Sequence, residues 1–81
     1  MAVRSLGDIK IGSFGIVTSI NVAGALKRRL IDMGITPGVK IKIIRVAPLG
    51  DPIQIGLRGY ELSIRRSDAV NIFVRKDEVD G

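Results

Sequence analysis

The chain contains no cysteine, no histidine and no tryptophan. Without cysteine there is no disulfide to staple a small domain and no thiol nucleophile. Without histidine there is no side chain that titrates unperturbed near neutral pH, and the commonest metal ligand is missing. Cysteine-free composition suits a reducing cytoplasm. Only Phe14, Tyr60 and Phe73 are aromatic, which leaves little of the stacking surface that single-strand nucleic-acid binders present. The same shortage argues against a groove for proline-rich peptides. No apolar run approaches the roughly 20 residues that cross a bilayer. The first residues also lack the charged and then apolar segments of a secretory leader. The expectation is a soluble cytoplasmic chain.

Catalytic chemistry is equally short of parts. Serine, threonine and lysine remain as nucleophiles, but no serine has a local activating base. Asp8, Asp32, Asp51, Glu61 and Asp68 are spread along the chain rather than paired for general acid–base work. Asp77, Glu78 and Asp80 do cluster, in a polar terminus that reads as a solvated end rather than a cation site. Gly12-Ser13-Phe14-Gly15 has neither the spacing nor the Lys-Ser/Thr ending of a phosphate loop. The reading is no enzyme, no cofactor and no metal site.

What is present is positive charge and a β-rich pattern. The 81 residues carry 13 Lys and Arg against 8 Asp and Glu, a net charge of +5. That balance favours an anionic partner, whether nucleic acid, a membrane surface or an acidic protein face. The length allows one domain with a small core.

The clearest local signal is Leu26 to Gly38. Leu26, Leu30 and Met33 recur at i, i+4 and i+7, one face of a helix starting near Val22 or Ala25, with Asn21 as a candidate cap. Gly34 follows the last periodic residue and Ile35 follows Gly34, the order of a Schellman stop. Thr36-Pro37-Gly38-Val39 then has the central Pro-Gly of a type II turn.

The remainder reads as strands and turns. Leu6 and Ile9 fall in a glycine-punctuated opening that predicts a turn or one helical loop laid on the core. Phe14, Ile16, Thr18 and Ile20 alternate as one strand face. In Val39 to Val46 the alternation of Val39, Ile41 and Ile43 shifts parity at Ile44 and Val46, which predicts a bend or a bulge. Ala47 to Pro52 is a loop bounded by prolines. Ile53, Ile55 and Leu57 predict a strand, Arg58-Gly59 a tight turn, and Tyr60, Leu62 and Ile64 the inward face of its return. Ser67 is a candidate cap for one helical turn, and Ile72 and Val74 mark a last short strand. The expected fold is mainly β: a small SH3-like five-stranded barrel over residues 1–75, with one short α-helix between its first two strands and additional helical turns. Residues 76–81 are expected to fray. An OB-type barrel is the alternative.

Two surface features are candidates for contact. With Leu26, Leu30 and Met33 inward, Lys27, Arg28 and Ile31 point outward. An Arg28–Asp32 surface pair at i, i+4 would account for part of the charge, but not for an exposed Ile31. Leu49 stands at the tip of the 47–52 loop, either folded back on the core or projecting as a contact. Lys40, Lys42, Arg45, Arg58, Arg65 and Arg66 add charge elsewhere, and a small basic nucleic-acid-binding β-barrel is the alternative function.

The runs RRLIDMGITPG, IIRVAPLGDPIQI and RGYELSIRRSDA, in that order and spacing, resemble the ferrous iron transport protein A (FeoA) family. The resemblance runs from about Leu6 to Val74. It implies a cytoplasmic SH3-like accessory protein of ferrous iron uptake. It implies as partner a FeoB-type membrane transporter with a cytoplasmic G domain, with self-association left open and nucleic acid disfavoured. The residues proposed to meet that partner are Lys27, Arg28, Ile31, Leu49, Asp51 and Arg58.

Overall fold

Alternation of apolar and polar residues organises the sheet, and the glycines decide where it turns. A computed structural model describes residues 3–76. Its strands are β1 (Val3–Ser5), β2 (Phe14–Ile20), β3 (Lys40–Val46), β4 (Ile53–Leu57), β5 (Tyr60–Ile64) and β6 (Ile72–Lys76). Helix α1 covers Gly24–Asp32, α2 covers Arg66–Ala69, and a 3-10 turn covers Leu6–Asp8. The strands form one antiparallel sheet in the order β1-β6-β2-β3-β4-β5.

The helix and its stop form as the sequence indicates. Gly34 has φ +95°, its N–H donates to Ile31 O (2.9 Å), and the Ile35 N–H reaches back to Leu30 O (3.0 Å). These are the two bonds of a Schellman motif, and they bring Ile35 beside Leu30, both fully buried. The Val39 N–H then bonds Thr36 O (3.1 Å), with Gly38 at φ +92°, closing the Pro-Gly turn. Leu26 and Met33 are half-buried against the core, so α1 seals one side of the sheet chiefly through Leu30.

The shift of parity in β3 is a bulge between Ile43 and Arg45. The hairpin between β4 and β5 has φ +50° at Arg58 and +84° at Gly59, the left-handed pair of a type I′ turn, whose twist suits the flanking strands.

Several expectations need correction. Among the described residues there are six strands, not five: β1 pairs with β6 at the sheet's edge, and Val3 and Arg4 are exposed, so it has no apolar alternation to announce it. In β2 the inward residues are Gly15, Val17 and Ile20, whereas Phe14 and Ile16 are half-buried and Thr18 is exposed. A bulge between Val17 and Ser19 returns Ile20 to the core, and the inward position of Gly15 has room for glycine alone, since a Cβ there would lie 2.8 Å from Val74 Cγ2. Tyr60 is exposed rather than inward. Asn21 does not cap α1; Ala23 is the cap residue, and no side chain bonds there. Ser67 lies inside α2, and Arg65 precedes that helix. Lys76 belongs to β6, while the expected frayed tail, with Asp77, Glu78 and Asp80, lies outside the described residues.

The core joins both helices to the sheet: Leu6, Val17, Leu30, Ile35, Ile41, Ile43, Ile53, Ile55, Ala69, Ile72 and Val74 are at most 2% exposed. Among the described residues no charged or polar side chain is buried with them.

Candidate partner-docking surface

The 47–52 loop is built as a rigid presenter. The Ala47 N–H bonds Pro52 O (3.0 Å) across its base, and the Gly50 N–H bonds Ala47 O (2.7 Å) across its tip. Gly50 takes φ +88°, and the Asp51–Pro52 peptide is cis. Leu49, between Pro48 and Gly50, is 96% exposed. Of the two readings open in the sequence, projection is the one realised.

Arg66 holds this loop from below. Its Nε donates to Gly50 O (2.8 Å), its Nη1 donates to Gly7 O (3.0 Å), and its backbone N–H donates to Asp51 Oδ1 (2.9 Å). One side chain thus ties the loop, the start of α2 and the N-terminal 3-10 turn together. Asp51 supplies the acceptor at the first helical N–H that Ser67 was expected to supply, from fifteen residues away. An exposed leucine on a fixed loop loses little conformational freedom on binding. Its burial against a partner contributes about 1.5–3 kcal/mol.

The outer face of α1 also has the expected exposure. Lys27 and Arg28 are exposed, and Ile31 is 41% exposed. Among the described residues no ion pair joins Arg28 to Asp32. Arg29 instead reaches Asp68 of α2, with Nη2 3.7 Å from Oδ2. Both α1, through Arg29, and the loop, through Arg66, are therefore tied to α2. Arg58 stands elsewhere, at the β4–β5 turn, where its Nη2 donates to Thr36 Oγ1 (3.3 Å) just beyond the end of α1. Tyr60 donates its hydroxyl to Met33 O at that same end.

The six candidates thus occupy three places: the loop tip (Leu49, Asp51), the α1 face (Lys27, Arg28, Ile31) and the hairpin turn (Arg58). Among the described residues no hydrogen bond or ion pair joins the loop to α1 directly. Arg66 was grouped in the sequence with the general positive charge, and nothing local distinguishes it from Arg65. Its partners are 16 and 59 residues distant. Among the described residues no cluster of three or more Asp or Glu is placed to hold a metal ion.

Comparison with known proteins agrees with this architecture. Residues 4–76 match the FeoA domain model. An Fe(2+) transport protein A/Fe(2+) transporter FeoB fusion protein of Porphyromonas gingivalis is 30% identical over 69 residues, covering 85% of this chain and 8% of the fusion. The chain therefore spans only a small part of that relative. A FeoA-like protein from Clostridium acetobutylicum, solved by NMR, is 39% identical over 94% of this chain and 88% of its own, with a TM-score of 0.86. A FeoA from Stenotrophomonas maltophilia, complexed with zinc and described as a prokaryotic SH3-domain protein, shares the fold at 22% identity. It covers 86% of this chain and 87% of its own, with a TM-score of 0.76. With its domain match spanning all but the chain's extremities and its sheet curled in the SH3-like manner, this chain belongs to the FeoA family of ferrous iron transport proteins.

Proposed function

We propose that this chain is a non-enzymatic cytoplasmic accessory of ferrous iron uptake that binds and modulates a FeoB-type membrane transporter, with Leu49 as its principal contact. The observation that carries the reading is the Porphyromonas gingivalis relative, in which a segment similar to this chain and a FeoB transporter are parts of one polypeptide. Covalent linkage raises the effective concentration of the two parts, as expected for domains that act on one another. The local support is the loop itself: an almost fully exposed leucine on a loop that takes two hydrogen bonds from Arg66. Lys27, Arg28 and Ile31 on α1 offer a second, positively charged and partly apolar face.

The test is co-purification of the full chain with the cytoplasmic G-domain region of a FeoB-type transporter. Wild-type chain is retained, and Leu49→Asp is lost while its unfolding midpoint is unchanged. Equal retention of Leu49→Asp and Ile31→Asp, both folded, removes the proposed surface. The alternative of a nucleic-acid-binding barrel draws on charge without a stacking platform, since the Phe14 ring lies beneath two lysine ammonium groups. That alternative requires affinity falling steeply with salt.

A further inference from the structure

The four residues of α2 point four ways, and two of them reach the surfaces already described. Successive helical residues are about 100° apart, so Ala69, buried in the core, leaves Ser67 facing outward. Arg66 turns to one side, where its Nε meets Gly50 O of the Leu49 loop (2.8 Å). Asp68 turns to the other side, where its Oδ2 lies 3.7 Å from Arg29 Nη2 of α1. The loop and α1 therefore stand on opposite flanks of one helical turn. Ser67, small and exposed, lies between them.

The two flanks carry the same combination of side chains. On the loop flank, Leu49 is almost fully exposed, and the exposed Arg65 immediately precedes α2. On the α1 flank, Ile31 is partly exposed with Lys27 and Arg28 beside it. Arg29 and Arg66 are engaged within the fold, but among the described residues the side chains of Lys27, Arg28 and Arg65 have no hydrogen bond or ion pair. Of the acids here, Asp68 faces Arg29 and Asp51 accepts from the Arg66 N–H, which leaves Asp32 unengaged among the described residues. Three cations without a counterpart thus stand against one such carboxylate.

We propose that the loop, α2 and the outer edge of α1 form one docking site, with Ser67 as its floor, and that its occupant is an acidic protein segment with an apolar side chain toward each end. The apolar side chains pack on Leu49 and Ile31, and the carboxylates pair with Arg65, Arg28 and Lys27. Charge complementarity selects the occupant, since a basic segment meets like charge on both flanks. Exposed ion pairs contribute little singly, so affinity requires one segment to engage both flanks at once. The site rests on the reading of Leu49 as a contact, and adds to it the chemistry of the partner and the second half of its footprint.

The test uses a fluorescently labelled eight-residue peptide with leucine near each end and glutamate elsewhere, added to the full chain at low salt and followed by anisotropy. Extended, it reaches about 26 Å, past both sides of a helix roughly 10–12 Å across. It binds at one site, and the amide signals of Arg28, Leu49 and Ser67 shift on one titration curve in NMR spectra, which reads the footprint without any substitution. Leu49→Asp, Arg28→Glu and Ser67→Tyr each weaken binding by about tenfold while remaining folded, and raising the salt weakens the wild type. Lys76→Glu, the same change of charge at the end of β6 away from α2, stays within about twofold of wild type. Shifts confined to the loop, or wild-type affinity in Arg28→Glu or Ser67→Tyr, overturn the proposal, because the loop then binds alone. Equal binding of a peptide with lysine in place of glutamate, tighter binding of a dT15 oligonucleotide, or a Leu49-dependent dimer in sedimentation overturns it as well, the last by making a second copy the occupant. The site and the transporter contact fail separately. Co-purification without peptide binding removes the site and keeps Leu49 as the transporter contact; peptide binding without co-purification keeps the site and removes that partner.

Discussion

Replacing Arg66 by alanine is the most direct test of how the 47–52 loop is held. The substitution removes the Nε bond to Gly50 O and the Nη1 bond to Gly7 O, and leaves the backbone N–H of residue 66 bonded to Asp51. A hydrogen bond from a charged donor contributes about 1.5–3 kcal/mol when well shielded. Arg66 is only half-buried and Gly50 and Gly7 keep some access to water, so the pair together is worth about 2 kcal/mol. For a domain of this size that lowers the thermal midpoint by roughly 10 °C, readable by circular dichroism or urea titration. Asp51→Ala, which removes the other tie, costs about 1 kcal/mol, as for a lost helix cap. The two ties hold one loop, so the double variant departs from additivity by at least about 0.5 kcal/mol. Because Leu49 remains in the chain, Arg66→Ala also weakens transporter binding without removing a contact residue. An unchanged midpoint together with full partner affinity would refute the picture of Arg66 as the loop's anchor.

Four further outcomes follow from the geometry. Gly34→Ala forces a side chain into φ +95° and places its Cβ 3.1 Å from the Tyr60 hydroxyl, which loosens the Tyr60–Met33 bond. The cost is roughly 2–3 kcal/mol in a urea titration, and a neutral outcome would mean that the helix stop tolerates another conformation. Gly15→Ala places its Cβ 2.8 Å from Val74 Cγ2, in the closed core, and destabilises by about 2–3 kcal/mol. Gly12→Ala, at φ +87° with nothing within 4 Å, costs only about 1 kcal/mol by the same measurement. Leu49→Asp changes stability by less than about 0.5 kcal/mol in either direction, since the side chain touches little of its own protein. A larger loss there would show that Leu49 packs rather than projects.

How much of this was legible beforehand depends on the range of the interaction involved. The Schellman stop at Gly34, the Pro37-Gly38 turn, the Arg58-Gly59 hairpin and the parity shift in β3 are all fixed by residues within a few positions of each other. In β2 the same periodicity argument chose the wrong face. Ile16 and Val17 are equally apolar, and it is pairing with β6, nearly sixty residues later, that goes with Gly15 and Val17 facing in and with the bulge that returns Ile20. Tyr60 was read inward for the same reason: alternation places it with Leu62 and Ile64, but at the strand's end its hydroxyl reaches the end of α1.

The sequence by itself determined the β-rich class, the α1 helix and its stop, and the excess of positive charge, because each depends on local conformation or composition; whether Leu49 folds back or projects was decided by the folded loop. Only the tertiary structure decided that Arg66 is the loop's anchor rather than one more surface cation. It also decided that Asp51 takes the place expected for Ser67, and that Phe14 lies under two lysines. Each joins residues from strands or turns that meet only when the sheet closes, and the geometry of that closure is set by the packing of the whole core.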